Sequence, residues 1–212
     1  MKSVSSDPTT TFPSGFFRRS DESPDDQFYV PDRLVTHIDD RAIAAVGALY
    51  AELSIDGRVL DLMSSWISHF LEPPAELVVL GMNAFELEHN VAATRTVVHD
   101  LNIDPTLSFG DATFDAATCC VSVDYLTRPL EVFAEVRRVI VPGGLFVCTF
   151  SNRCFPSKAI HGWLAATDAG RCGIVAEYFR HSGGWDPPLT QLRTPAGTYG
   201  DPLYAVWARR TT

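Results

Sequence analysis

The run FDAATCCVSV, residues 114–123, most constrains what this chain can become. It is apolar or small nearly throughout and does not alternate. A strand built from it suits the middle of a parallel sheet, covered on both faces. PLEVFAEVRRVI (129–140) follows, with Leu130, Phe133, Val136, Val139 and Ile140 along one helical face. VPGG (141–144) breaks that helix, and LFVCTFS (145–151) is a further apolar strand. Strands alternating with helices imply an α/β sheet that is mostly parallel.

The same rhythm extends both ways. RVLDL (58–62), ELVVLGM (76–82) and RTVVHDL (95–101) read as strands. LTQLRT (189–194) and PLYAVWARR (202–210) flank a Pro/Gly turn and suit an antiparallel hairpin. Pro31 can open a helix in which Val35, Ile38, Ile43, Val46, Leu49 and Tyr50 recur at helical spacing. SSWISHFL (64–71) can start another, with Ser64 or Ser65 as N-cap, and AFELEHNVAA (84–93) a third behind Asn83. Residues 157–183 hold one or two more. The 212 residues suit one domain, expected over 28–212. Residues 1–27, rich in Ser, Thr, Pro and Asp, read as a disordered tail.

The formal net charge of −9, with no basic stripe, argues against nucleic acid and anionic membrane surfaces as partners. No apolar run approaches the ~18 residues of a membrane span. The N-terminus lacks the apolar core of a secretory signal; an organelle transit peptide is the weaker rival to a plain tail. The five cysteines form no CxxC and no metal-ligand spacing with histidine, which suits reduced thiols and a cytoplasmic location. No metal site is expected. No Gly-x-Ser-x-Gly elbow, phosphate-binding lysine loop or glycosidase-type carboxylate pair stands out.

FGDATFDAATCCVSVDYLTRPLEVFAEVRRVIVPGGLFVCTFSN, residues 109–152, resembles the class I S-adenosylmethionine-dependent methyltransferases of the small single-domain type. Phe114-Asp115 opens a strand, Leu126 follows it, and Arg137-Arg138-Val139 leads into Pro142-Gly143-Gly144. The resemblance runs from about Val59 to Ser151. It implies a doubly wound, mostly parallel seven-stranded sheet with an antiparallel C-terminal edge, binding S-adenosylmethionine across the C-terminal strand ends.

Two cofactor positions depart from the family. Its first turn is usually Asp-x-Gly-x-Gly-x-Gly; here Asp61-Leu62-Met63-Ser64-Ser65-Trp66-Ile67 puts Met63, Ser65 and Ile67 at the glycines. Glycine there permits positive φ and close approach to the ligand. Its second strand usually ends in an acid for the ribose hydroxyls; here stand Gly81 or Met82, with Asn83 next. Asp100 falls where the family places an acid for the adenine amino group, beside Leu101, and also suits a turn or helix cap. Carried over from the family, the cofactor contacts are Asp61, Met63, Ser64, Ser65, Gly81, Met82, Asn83, Asp100, Leu101, Cys120 and Val121. Trp66 and His69 either shape a specialised pocket or pack as core and surface residues.

In the family the helix before the first strand often folds over the cofactor, so the resemblance implies that FYVPDRLVTHIDD (28–40) is a lid whose Tyr29, Arg33, His37 and Asp39 can face the site, with Arg33 either a carboxylate clamp or a surface partner of Asp39 or Asp40. His37 titrates near neutrality and can act as a general base, or can be a plain helical residue. Tyr125 falls near the transferred methyl in the family, with Asp124 beside it. Asn152 and Arg153, with Ser151, offer donors to an acceptor, and Cys154 beside Arg153 is a reactive or a structural thiol. Tyr178 and Trp185 are candidate pocket walls. The leading expectation is methyl transfer to a small-molecule acceptor. A non-catalytic binding or scaffold protein, and an isomerase, cyclase or lyase on this fold, stay open.

Overall fold

The computed structural model describes residues 12–195, 197 and 199–212. Seven strands form one sheet: β1 (Arg58–Leu62), β2 (Glu76–Gly81), β3 (Arg95–Val98), β4 (Phe114–Cys120), β5 (Ile140–Phe150), β6 (Leu189–Leu192) and β7 (Tyr204–Arg209). Their order is β3-β2-β1-β4-β5-β7-β6. The first five run parallel, β7 antiparallel to β5, and β6 antiparallel to β7. This is the α/β sheet with an antiparallel edge that the apolar runs predict.

The helices are α1 (Asp25–Phe28), α2 (Asp40–Glu52), α3 (Ala84–Glu88), α4 (Pro129–Val139), α5 (His161–Leu164) and α6 (Asp168–Ser182). Side chains alternate across the sheet with period two. Leu60, Val78 and Leu80 face the core of α4 and α6, while Val59, Leu77 and Val79 face the core of α2. Among the described residues, no helix is long and apolar enough to cross a membrane.

Four elements differ from the sequence reading. The helix expected from Pro31 begins only at Asp40, behind the N-cap Asp39, whose carboxylate accepts from the Ala42 N–H. β5 starts at Ile140, so VPGG lies inside the strand; the β4–β5 register shifts between Phe114 and Ala116. α3 stops at Glu88, where the His89 and Asn90 N–H groups close tight turns. Residues 64–71 form no helix. Ser64 and Ser68 hydroxyls both donate to Asp61 (2.7 and 2.6 Å), and Trp66 Nε1–H donates to Val35 O. Such local side-chain bonds compete with the helical ladder.

The expected tail is also corrected. Residues 1–11 lie outside the described residues, but 12–28 form a strap across the domain. Phe12, Phe16 and Phe17 cluster against Tyr178. The His161 and Gly162 N–H groups donate to Arg18 O and Phe16 O. A Cβ on Gly162 would lie 2.3 Å from the Phe16 ring, so that close approach needs glycine. Lys158, fully buried, meets Asp21 at 3.1 Å and Asp25 at 3.2 Å, and Arg19 grips Asp25 through two contacts of 2.8 Å. Composition hid this: the acids of a polar-looking segment are neutralised by one cation within it and one far along the chain.

Candidate functional site

The sheet order reverses between β1 and β4, and ligands of such folds sit outside the strand C-termini at that point. A cavity of about 290 Å³ opens there. Its floor is the turn after β1 (Met63–Ser65), the end of β2 (Gly81–Asn83), the loop after β3 (His99–Asn102) and Val121-Ser122 after β4. The strap and the segment behind it supply Asp25, Tyr29, Arg33 and His37, and the loop after β5 supplies Arg153 to Phe155.

Asp61 organises the floor from below. It is 4% exposed and does not line the cavity. Its carboxylate accepts from Ser64, Ser68 and Thr118 hydroxyls. Burial raises its pKa, and the three hydroxyls oppose that shift. The expected direct contact is therefore a support for the turn.

The two departures from the family's pattern are one packing arrangement. The turn leans onto β2, with the Ser64 N–H donating to Leu80 O at 2.8 Å. A Cβ on Gly81 would lie 2.2 Å from Ser64 O. An acid at position 81 and this turn cannot coexist, so glycine has moved from the turn to the strand it rests on. Met63 keeps the backbone demand of the first glycine, with φ +52. Val121, at the matching end of β4, has φ +47. Left-handed backbone costs a side-chain-bearing residue roughly 1–2 kcal/mol, and both strained residues line this cavity. Ser122 Oγ, donating to Met63 O (3.3 Å) or Cys120 O (2.9 Å), ties the two strand ends together.

Carboxylates enter by another route. Glu86, one turn into α3, lines the cavity although 7% exposed. It accepts the Ser65 hydroxyl and the Arg33 N–H (2.8 Å). Asn83 lines the cavity, but its Oδ1 caps α3 and its amide donates to Tyr29 O (3.0 Å) and Asp32 (2.9 Å). Asp100 Oδ1 accepts from the Asn102 and Ile103 N–H groups, so the capping alternative holds while the residue still lines the cavity.

The opposite end is aromatic. The Phe155 ring meets Phe28 at 5.4 Å, His37 at 5.3 Å and Tyr125 at 6.0 Å. The Phe155 N–H donates to the Tyr125 hydroxyl at 2.8 Å, so Tyr125 positions that wall. His37 stands exposed at the rim. Partial burial pushes its pKa below 6.5, opposed by Glu86 and reinforced by Arg33.

Several expected residues stand elsewhere. Asn152 is exposed beside a shallow depression with Asp39, Gly200 and Asp201. Cys120 packs with the α2 core on the other sheet face. Tyr178 is buried among aromatics, and Trp185 packs on Phe146 and Phe179. Trp66, His69, Ser151 and Asp124 lie outside the lining. Arg153 reaches the rim, but its Nε donates to Asp201 at 2.7 Å. Burial raises the Cys154 pKa, so its arginine neighbour does not activate it. Sequence reasoning missed Asp25, Glu86, His99, Asn102, Ser122 and Phe155. Only Glu86 carried a signal, a buried acid in the first turn of a short helix beside the ribose position.

Residues 67–148 match the family model of a methyltransferase domain. Solved structures share the fold. The Burkholderia thailandensis 1,6-didemethyltoxoflavin-N1-methyltransferase, with its substrate and S-adenosylhomocysteine bound, is 18% identical over 82% of this chain and 79% of its own (TM-score 0.59). A Mesorhizobium loti S-adenosylmethionine-dependent methyltransferase is 19% identical over 77% and 96% (TM-score 0.53). The cyclase SpnF is 14% identical over 86% and 89% (TM-score 0.56). No curated protein matches the chain by sequence. The match to a methyltransferase domain covers residues 67–148, and the fold is one that these solved methyltransferases share.

Proposed function

We propose that the cavity binds S-adenosylmethionine and that the protein methylates a small-molecule acceptor. The observation that carries this reading is the convergence of residues 63–65, 81–83 and 100–102 on one cavity at the switch point. The donor set fits the cofactor. Asp100 and Leu101 would flank the base, with apolar surface from Met82 and Val121. The Ser65–Glu86 pair keeps acceptor lone pairs for ribose hydroxyls, a duty the family gives to the end of the second strand. The carboxylates of Glu86 and Asp100 favour a ligand carrying a sulfonium.

When bound, the cofactor supplies an electrophilic methyl on a good leaving group, so alignment lowers most of the barrier. The chain contributes that alignment. Asp61 holds the turn, Tyr125 holds the aromatic wall, and the strap with residues 29–37 shields the cavity from water. His37 makes no hydrogen bond among the described residues and is largely neutral at pH 7, so it can accept the acceptor's proton.

The test is calorimetric titration with S-adenosylmethionine and S-adenosylhomocysteine, on wild type and Asp100→Asn. Asparagine keeps the cap acceptor and removes the charge. Micromolar binding is expected, weakened roughly 5–10-fold in the variant, the difference between a charged and a neutral hydrogen bond. Absence of heat with both ligands refutes the reading. Binding without methylated product over a broad acceptor panel would instead place the protein with non-methylating enzymes of this fold.

A further inference from the structure

Among the described residues, Arg33 is the cavity-lining guanidinium that forms no ion pair with an acid. Its Nη1 and Nη2 donate to Pro31 O (3.2 Å) and Phe28 O (2.8 Å). Guanidinium carries five N–H donors; the remaining ones have no partner among the described residues. Arg153, the other guanidinium at the cavity, is neutralised by Asp201, and Asp25 by Arg19 and Lys158. Glu86, the nearby carboxylate, turns its oxygens to the Arg33 backbone N–H and the Ser65 hydroxyl. The Arg33 guanidinium lies over aromatic rings, 4.8 Å from the Phe28 centroid, 5.6 Å from Phe155 and 5.8 Å from Tyr29. Packing among these rings restrains the guanidinium, and its unused N–H donors suit a planar, two-oxygen anion. In a chain of net charge −9, such an unneutralised cation in a cavity selects for negative charge.

Resting on the methyltransferase reading, we propose that the acceptor is an aromatic acid, its carboxylate held by Arg33 and its ring against the Phe155–Tyr29 end of the cavity. A lone pair of a ring-borne hydroxyl or amine forms the bond to the methyl carbon. The carbon–sulfur bond breaks with its electrons left on sulfur, yielding S-adenosylhomocysteine, and the acceptor's proton passes to His37.

The experiment titrates the full chain, with S-adenosylhomocysteine present and absent, with hydroxy- and aminobenzoates and their matched benzamides. At least one acid should bind tenfold or more tightly than its amide. Arg33→Met should abolish that preference, and Arg33→Lys, which keeps the charge and the stem, should retain part of it. The proposal is overturned if no acid outbinds its amide, or if the preference survives Arg33→Met. The S-adenosylmethionine titration on the same samples reports separately on the underlying reading. Cofactor binding without acid preference removes the substrate class alone; acid preference without cofactor binding overturns the methyltransferase reading and the acceptor role with it, leaving Arg33 as a carboxylate site.

Discussion

Replacing Gly81 by alanine tests whether the turn after β1 rests on β2. The added Cβ would stand 2.2 Å from Ser64 O, where ordinary contact begins near 3.4 Å. The turn must withdraw by about 1.2 Å, the difference between those distances. That movement stretches the Ser64 N–H···O Leu80 bond of 2.8 Å beyond bonding range and loosens Ser64 from Asp61. Overpacking of this kind costs roughly 1–3 kcal/mol, and the hydrogen bond about 1 kcal/mol more. A loss of roughly 2–4 kcal/mol should lower Tm by roughly 5–15 °C in a domain of this size. Urea unfolding and a thermal scan of purified Gly81→Ala measure both quantities. Cofactor affinity should fall in the same variant, because Met63 to Ser65 move with the turn. A variant within 0.5 kcal/mol of wild type, by the usual range of neutral surface changes, would refute the argument that glycine at 81 answers the turn.

Two further predictions concern groups beside the cavity. Asp124 is 2% exposed, its Oδ2 has no hydrogen-bond partner among the described residues, and burial lifts its pKa to about 7. A carboxyl raised in the fold stabilises it below the unfolded value of 3.8, and that contribution is lost as pH rises through about 7. Asp124→Asn should therefore match wild type near pH 4 and exceed it at pH 8, by up to about 4 kcal/mol; equal urea midpoints at pH 8 would sink this. Lys158→Met removes the cation between Asp21 and Asp25 and should cost roughly 3 kcal/mol, as loss of one partner of a buried pair does. Limited proteolysis within residues 12–28 should accelerate in that variant; unchanged protection would mean that the aromatic anchors alone hold the strap.

Where burial dictated periodicity, the chain was legible. RVLDL forms β1 as read, the apolar stretch within 114–123 forms β4, and PLEVFAEVRRV lays Leu130, Phe133, Val136 and Val139 into the core. The misreadings arise where side chains bond across sequence distance. Ser64 and Ser65 look like helix caps, but their hydroxyls serve Asp61 and Glu86. Met63 gives no hint of positive φ, because that conformation is imposed by the strand ends around it. Gly81 looked like a lost acid, and only the Ser64 carbonyl beside it explains the glycine. The strap escaped notice because Lys158, which neutralises its acids, stands 137 residues beyond Asp21.

That separation sets an order of events during synthesis. At roughly 5–20 residues per second, Asp21 and Asp25 leave the ribosome on the order of ten seconds before Lys158. Until then the strap has aromatic residues and acids but no binding surface, and the strand ends that it closes over are themselves only partly made. The wall carrying Asp25, and the approach to Tyr29 and Arg33 behind it, is thus the last part of the cavity to be assembled. A nascent chain of this protein can complete β1 and β2 early, yet it acquires a closed site only after Lys158 and Tyr178 have been translated.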